Sequence, residues 1–290
     1  MSIAHQDISR LRENLKRLQS LRFSTDLYED LRDKLAIILV GASFKECFQE
    51  FGENAYMISE YIEVLNEMGF KAIVTGLPPP YFRGKPQVPS WFLKEYMSVN
   101  KIERQNENCV WLYVDNSVES KISLSLNGDL DEGYLLGYPD CCIKWYEKMW
   151  RKNIEVLYQY ISHRYAAKDR YEIIEALKYS KAQVFTHLLI QIFTDANLER
   201  TVRTFPFVFH IACENCLRDS KSPTASINSQ NKHLALNLDS TFCERIKDAS
   251  NKYAQNVIQR SISQKNDFYA LKEQFPWLSE LLKIVDLGPF

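Results

Sequence analysis

The chain has 290 residues, 46% apolar and 25% charged. That is globular usage for one or two domains and excludes disordered, collagen-like and disulfide-scaffold classes. Lys and Arg number 36 against 37 Asp and Glu, a net charge of -1, so the chain as a whole carries no strongly basic nucleic-acid footprint.

Residues 6–22 place Ile8, Leu11, Leu15 and Leu18 at helical spacing among polar residues, predicting an amphipathic helix and not a signal peptide. Asp26 and Glu29 give a capping-box signal for a short second helix. Leu35 to Val40 is an unbroken apolar run ending at Gly41, which reads as a strand buried on both faces. Residues 54–68 carry a helical stripe through Met57, Ile58, Tyr61, Val64, Leu65 and Met68, with Gly69 as its cap. Residues 70–75 read as a second strand, so strand, helix and strand suggest a βαβ unit in a parallel sheet.

Pro78, Pro79 and Pro80 open an irregular stretch through Gly84, Pro86 and Pro89, a candidate substrate-cleft loop at the strand ends. Residues 109–114 read as a third strand and 117–126 as a short helix broken at Asn127-Gly128. A long helix follows to about 162, with Ile143, Tyr146, Trp150, Ile154, Leu157 and Ile161 on one face. Residues 168–200 hold one or two more helices, and His187 among them reads as structural. Thr204 to Phe209 is extended, with Pro206 favouring an edge strand. Ser222-Pro223 is an N-cap and first-turn pair. The predicted class is α/β: a small, mostly parallel three-stranded sheet layer followed by a mainly helical part. The expected division is an α/β layer with N-terminal helices over 1–130 and a helical part over 131–290. No segment has the roughly 18 consecutive apolar residues of a membrane span. A cytoplasmic setting with reduced thiols is the expectation for the seven cysteines.

Two stretches carry chemistry. In Leu136-Gly137-Tyr138-Pro139-Asp140-Cys141-Cys142, both cysteines fall at a helix start, where unpaired N–H groups and the positive dipole end favour thiolates. Neighbouring helical positions point about 100° apart, so both reach one metal only if that end unwinds. In His210-Ile211-Ala212-Cys213-Glu214-Asn215-Cys216, the C-x-x-C spacing lets two sulfurs converge on one ion from a tight turn. Cys141, Cys142, His210, Cys213 and Cys216 are therefore candidate ligands of zinc or an iron–sulfur cluster. Five candidates exceed a closed four-ligand site, which points towards an enzyme acting on a small molecule or peptide, with Tyr138 or Glu214 to move protons. Two alternatives stay open. One is a metal-free cysteine enzyme of redox or sulfur-transfer chemistry. The other is a structural zinc module in a nucleic-acid or protein-binding protein, with partners held on the basic and aromatic Lys144–Lys152 face. Cys47, Cys109 and Cys243 lie in apolar contexts and read as core.

L-G-Y-P-D-C-C followed by H-I-A-C-E-N-C resembles a prokaryotic domain-of-unknown-function family that carries L-G-Y-P-x-C-C and, later, H-x-P-C with a further cysteine. The matching positions are Leu136 to Cys142, His210, Cys213 and Cys216, with Ala212 at the family's proline. The resemblance implies that these residues form one site and supplies no reaction.

Overall fold

The computed structural model describes residues 5–79, 84–164, 169–178 and 194–274. Its elements are α1 (His5–Gln19), α2 (Leu27–Gly41), β1 (Cys47–Phe51), α3 (Gly52–Ser59), α4 (Ile62–Glu67), β2 (Lys71–Thr75), α5 (Ser90–Asn106), β3 (Cys109–Tyr113), α6 (Ser117–Leu126), α7 (Glu132–Leu135), α8 (Asp140–Arg164), α9 (Arg170–Lys178), α10 (194–204), α11 (Glu214–Arg218), α12 (Pro223–Leu238) and α13 (Ser240–Gln274). Pro80, His187 and the middle of the predicted 168–200 helical stretch lie outside the described residues.

The fold is mainly helical with one small antiparallel sheet among the described residues, and this corrects the expected parallel α/β layer. The strand order is β1-β3-β2, and β3 runs antiparallel to both neighbours, with Tyr113 opposite Cys47 on one side and Lys71 on the other. The error starts at Leu35 to Val40. That run is the end of α2, which begins where Asp26 accepts hydrogen bonds from the Tyr28 and Glu29 amides. Once capped, the helix continues through the apolar run, because it is buried on every side there. The first strand is instead Cys47–Phe51, a segment with no strong alternation. The stretch 54–68 is helical but breaks between α3 and α4, and Gly69 follows α4 with φ +91°. Residues 204–209 pair with no strand among the described residues. Pro206 sits in a turn there, and Phe207 is buried in the core.

The main apolar core takes Leu11, Leu15 and Leu18 from α1 and Leu31 and Ile38 from α2. Leu234 of α12 and Phe242 and Ile246 of α13 join it, so the core draws on both sides of residue 130. The alternation of β3 divides its side chains between two cores. Val110 and Leu112 join the main one, whereas Cys109, Trp111 and Tyr113 pack with Ile122 and Leu135. Arg260 of α13 donates Nε and Nη2 to the two oxygens of Asp195 at 2.9 and 2.7 Å, which fixes α10 against α13. No described helix is long and apolar enough to cross a membrane.

Ile37 is fully buried in the main core. Ile37→Ala should therefore cost about 2–5 kcal/mol in urea unfolding; a cost below about 1 kcal/mol would contradict the burial of α2 on all sides.

Candidate metal centre

The chain turns at Gly137, whose φ of +72° suits a residue without a Cβ. It then enters α8, where the Cys142 and Ile143 amides donate to Pro139 O at 2.9 and 3.0 Å. Tyr134 Oη donates to Asp140 Oδ1 at 2.5 Å, and Lys144 pairs with its other oxygen. Cys141 and Cys142 thus stand in the first turn of an intact helix.

The partner segment, 205–213, has little regular structure and is held by side chains. Asn197 Nδ2 donates to Ala212 O at 3.1 Å, and the Ala212 amide donates to Thr201 Oγ1 at 2.9 Å. The Phe207 amide donates to Asn228 Oδ1, Asn231 Nδ2 donates to Phe207 O, and Tyr28 Oη donates to Pro206 O. Cys213 is the N-cap of α11, and Cys216 lies one turn on. Ser222, the N-cap of α12, accepts from the Ala225 amide as its spacing to Pro223 predicts, and its hydroxyl donates to Cys216 O at 3.0 Å.

Four of the five expected residues meet. The sulfurs of Cys141, Cys142, Cys213 and Cys216 all lie within 4.8 Å of one another, a set that can hold a metal ion. Cys216 Sγ is 3.4 Å from Cys141 Sγ and 3.7 Å from Cys142 Sγ, and the Cys213 amide donates to Cys142 Sγ at 3.4 Å. Both adjacent cysteines reach the set without the helix unwinding that their spacing suggested, because Cys216 lies within range of each. Phe205, Val208 and Ala212 enclose three of the sulfurs, and Cys141 is the most open.

His210 stands outside this set. Its Nε2 is 3.0 Å from Thr224 Oγ1, and Thr224 Oγ1 is 3.6 Å from Cys142 Sγ. Thr224 is fully buried in the first turn of α12 and links the imidazole to the sulfurs. Nothing in the sequence marks it, since the Ser222-Pro223 cap places residue 224 in a helix but ties it to no cysteine. His210 also packs against Tyr138, with ring centroids 5.1 Å apart. Burial, and then the Lys45 ammonium, pull its pKa down to about 3, so the ring is neutral.

Protons are shared unevenly among the sulfurs. Burial pushes the Cys141 thiol up to about 11 and the Cys142 thiol higher still. Burial also opposes ionisation of Cys216, but hydrogen bonds from the Thr224 hydroxyl and amide and from the Cys141 and Cys142 thiols outweigh it and bring Cys216 below its ordinary value. Thiolates this close repel one another, so all four ionise together only around a cation.

The remaining candidates separate. Glu214 is clamped by Arg200 Nη1 at 2.8 and 3.0 Å, which ties it into an ion pair. Cys47, Cys109 and Cys243 are buried, as expected. Of the Lys144–Lys152 face, Trp145 packs beside the sulfurs, while Tyr146 and Trp150 line a cavity of about 430 Å³. That cavity also reaches Cys142, His210, Tyr138, Pro78 and Pro79.

Comparison with protein-family models, with curated protein sequences and with solved structures finds no match.

A histidine held neutral by the fold binds fewer protons than its unfolded counterpart, so its contribution is full above about pH 6.5 and is lost as the pH falls towards its folded value. The stability advantage of the native chain over His210→Gln should therefore shrink by about 2 kcal/mol between about pH 7.5 and pH 5. Denaturant midpoints at the two pH values check this, and an unchanged difference would contradict a ring held neutral by the fold.

Proposed function

We propose that the chain is a metalloprotein in which Cys141, Cys142, Cys213 and Cys216 bind a single zinc ion as thiolates. The spacing of the sulfurs carries this reading. Ligands about 2.3 Å from a tetrahedral zinc ion stand about 3.8 Å from one another. Cys216 stands 3.4 Å from Cys141 and 3.7 Å from Cys142, and no pair exceeds 4.8 Å. An iron–sulfur cluster puts sulfides and several irons between its thiolates, which spreads pairs across it well beyond the span of a single ion's ligands. The spacing therefore favours one ion over a cluster.

The surroundings support the same reading. Four thiolates around Zn²⁺ leave an excess of negative charge, and such sites need donors behind the ligands. The Cys213 amide faces Cys142 Sγ, and the Thr224 hydroxyl and amide face Cys216. His210, through Thr224, holds the donor in place and is not itself a ligand in this reading. Four sulfurs close the coordination shell, so the ion's role is architectural. It ties the start of α8 to α11 and α12 and builds one end of the cavity. Any substrate chemistry belongs to that cavity, which takes a small molecule more readily than a peptide. Kinship with the L-G-Y-P-x-C-C family and a cytoplasmic, reducing setting are parts of the same proposal.

A second reading rests on the 3.4 Å between Cys141 and Cys216 and on the lowered pKa of Cys216. These are the features of a dithiol pair, with Cys216 as the thiolate and Cys141, the more open of the two, as the sulfur that meets reagents.

Metal and sulfide analysis of protein purified without chelator separates the readings. The zinc reading expects one zinc per chain, no acid-labile sulfide, and thiols protected from alkylation until zinc is removed. Two or more irons with sulfide would overturn it, and metal-free protein with one rapidly alkylated cysteine would select the dithiol. Thr224→Val should weaken zinc binding about 10–100-fold in a chelator competition while leaving one zinc per chain; unchanged affinity would remove Thr224 from the site.

A further inference from the structure

We infer that the cavity beside the sulfur cluster is a binding site for a small organic cation, a molecule with a protonated amine or guanidine on an apolar body. This goes beyond the zinc reading and does not depend on it, because the deciding groups lie on α2 and β1.

Charge is the first observation. Glu29, Asp33, Glu50, Asp131, Glu132 and Glu147 line the cavity, against Arg32 and Lys45. Both cations are already engaged. Lys45 Nζ donates to Leu136 O at 2.6 Å and lies over the Tyr138 and Phe209 rings at 5.4 and 4.8 Å. Arg32 Nη2 sits between Asp33 Oδ1 at 3.5 Å and Glu50 Oε2 at 3.7 Å.

The second observation is independent of the acid count. The Asp33 side chain is only 1% exposed, yet its Oδ2 has no hydrogen-bond partner. A buried carboxylate oxygen without a donor is costly, and native folds retain few of them. Burial first, and then the Glu50 charge, push the Asp33 carboxyl well above the usual carboxylate range despite Arg32 beside it. Glu50 is raised by burial as well. One ammonium brought beside this Asp33–Arg32–Glu50 group gives its two carboxylates a second cation, supplies the donor that Asp33 Oδ2 lacks and offsets the repulsion.

The walls supply the rest. Phe48, Trp150 and Phe209 give apolar and aromatic surface, and Phe209 already has the Lys45 ammonium over its ring. A volume of about 430 Å³ suits a small ligand. An anion fits poorly. Arg32 Nε is also without a partner, but a carboxylate reaching it would meet Asp33 and Glu50.

Calorimetric titration of the purified full chain with three probes of similar size tests the inference: phenethylammonium, 2-phenylethanol and 3-phenylpropionate. Phenethylammonium should bind at least about tenfold more tightly than the alcohol, with the carboxylate weakest. Asp33→Asn should abolish that preference, and Glu50→Gln should reduce it, which keeps the test decisive if one variant fails to fold. Equal or tighter binding of 3-phenylpropionate, no binding by any probe, or a preference that survives in the folded variants would overturn the inference. Zinc is counted on the same samples. An ammonium preference without zinc overturns the metal reading alone, and full zinc without the preference overturns this one alone.

Discussion

Four sulfur atoms from two segments about seventy residues apart share one small volume, and the local architecture follows from that constraint. Thiolates so close cannot coexist without a cation among them, and thiols so close form a hydrogen-bonded set with one favoured acceptor. Side-chain hydrogen bonds hold this arrangement. Asn197 and Thr201 of α10 fix Ala212, Asn228 and Asn231 of α12 fix Phe207, and Ser222 fixes Cys216. Few of these bonds belong to a helix or a sheet ladder, so segment 205–213 keeps its path through specific side chains and not through repetitive structure.

The same constraint reaches the cavity through α8. Cys142 belongs to the sulfur set, while Ile143, Tyr146, Glu147 and Trp150 follow at helical spacing and line the cavity. One rigid helix therefore presents a sulfur to the candidate metal and a face to the candidate ligand. His210 occupies the junction, touching Thr224 on one side and Tyr138 on the other. An ion that fixes the start of α8 also fixes the cavity wall, which gives an architectural metal a functional consequence without a coordination position open to substrate.

The sulfur cluster is legible in the sequence because thiols that converge carry local spacing signals. Cys141-Cys142 after Pro139 and Cys213-x-x-Cys216 each mark a helix start or tight turn. What was not legible was the second layer. Thr224 is 82 residues from Cys142, and a lone threonine in a first helical turn carries no signature. The imidazole of His210 looked like a fifth ligand, since sequence proximity to Cys213 does not say which way the ring points. Asp33, Glu50 and Arg32 were equally silent, because a cavity is a property of packing between elements. The fold was misread at Leu35 to Val40 for a general reason: an unbroken apolar run satisfies a strand buried on both faces and a helix buried all round alike. The Asp26 cap was the better guide, since a capped helix with no breaker before Gly41 has no cause to stop. Cys47–Phe51, with no clear alternation of its own, carries no comparable strand signal, and it runs antiparallel to β3.

X-ray absorption at the zinc edge of protein purified with its native metal tests the central claim most directly. The account predicts a first shell of four sulfur atoms at about 2.3 Å and no metal–metal scattering. A shell of three sulfurs and one nitrogen would bring His210 in as a ligand and contradict the four-thiolate centre.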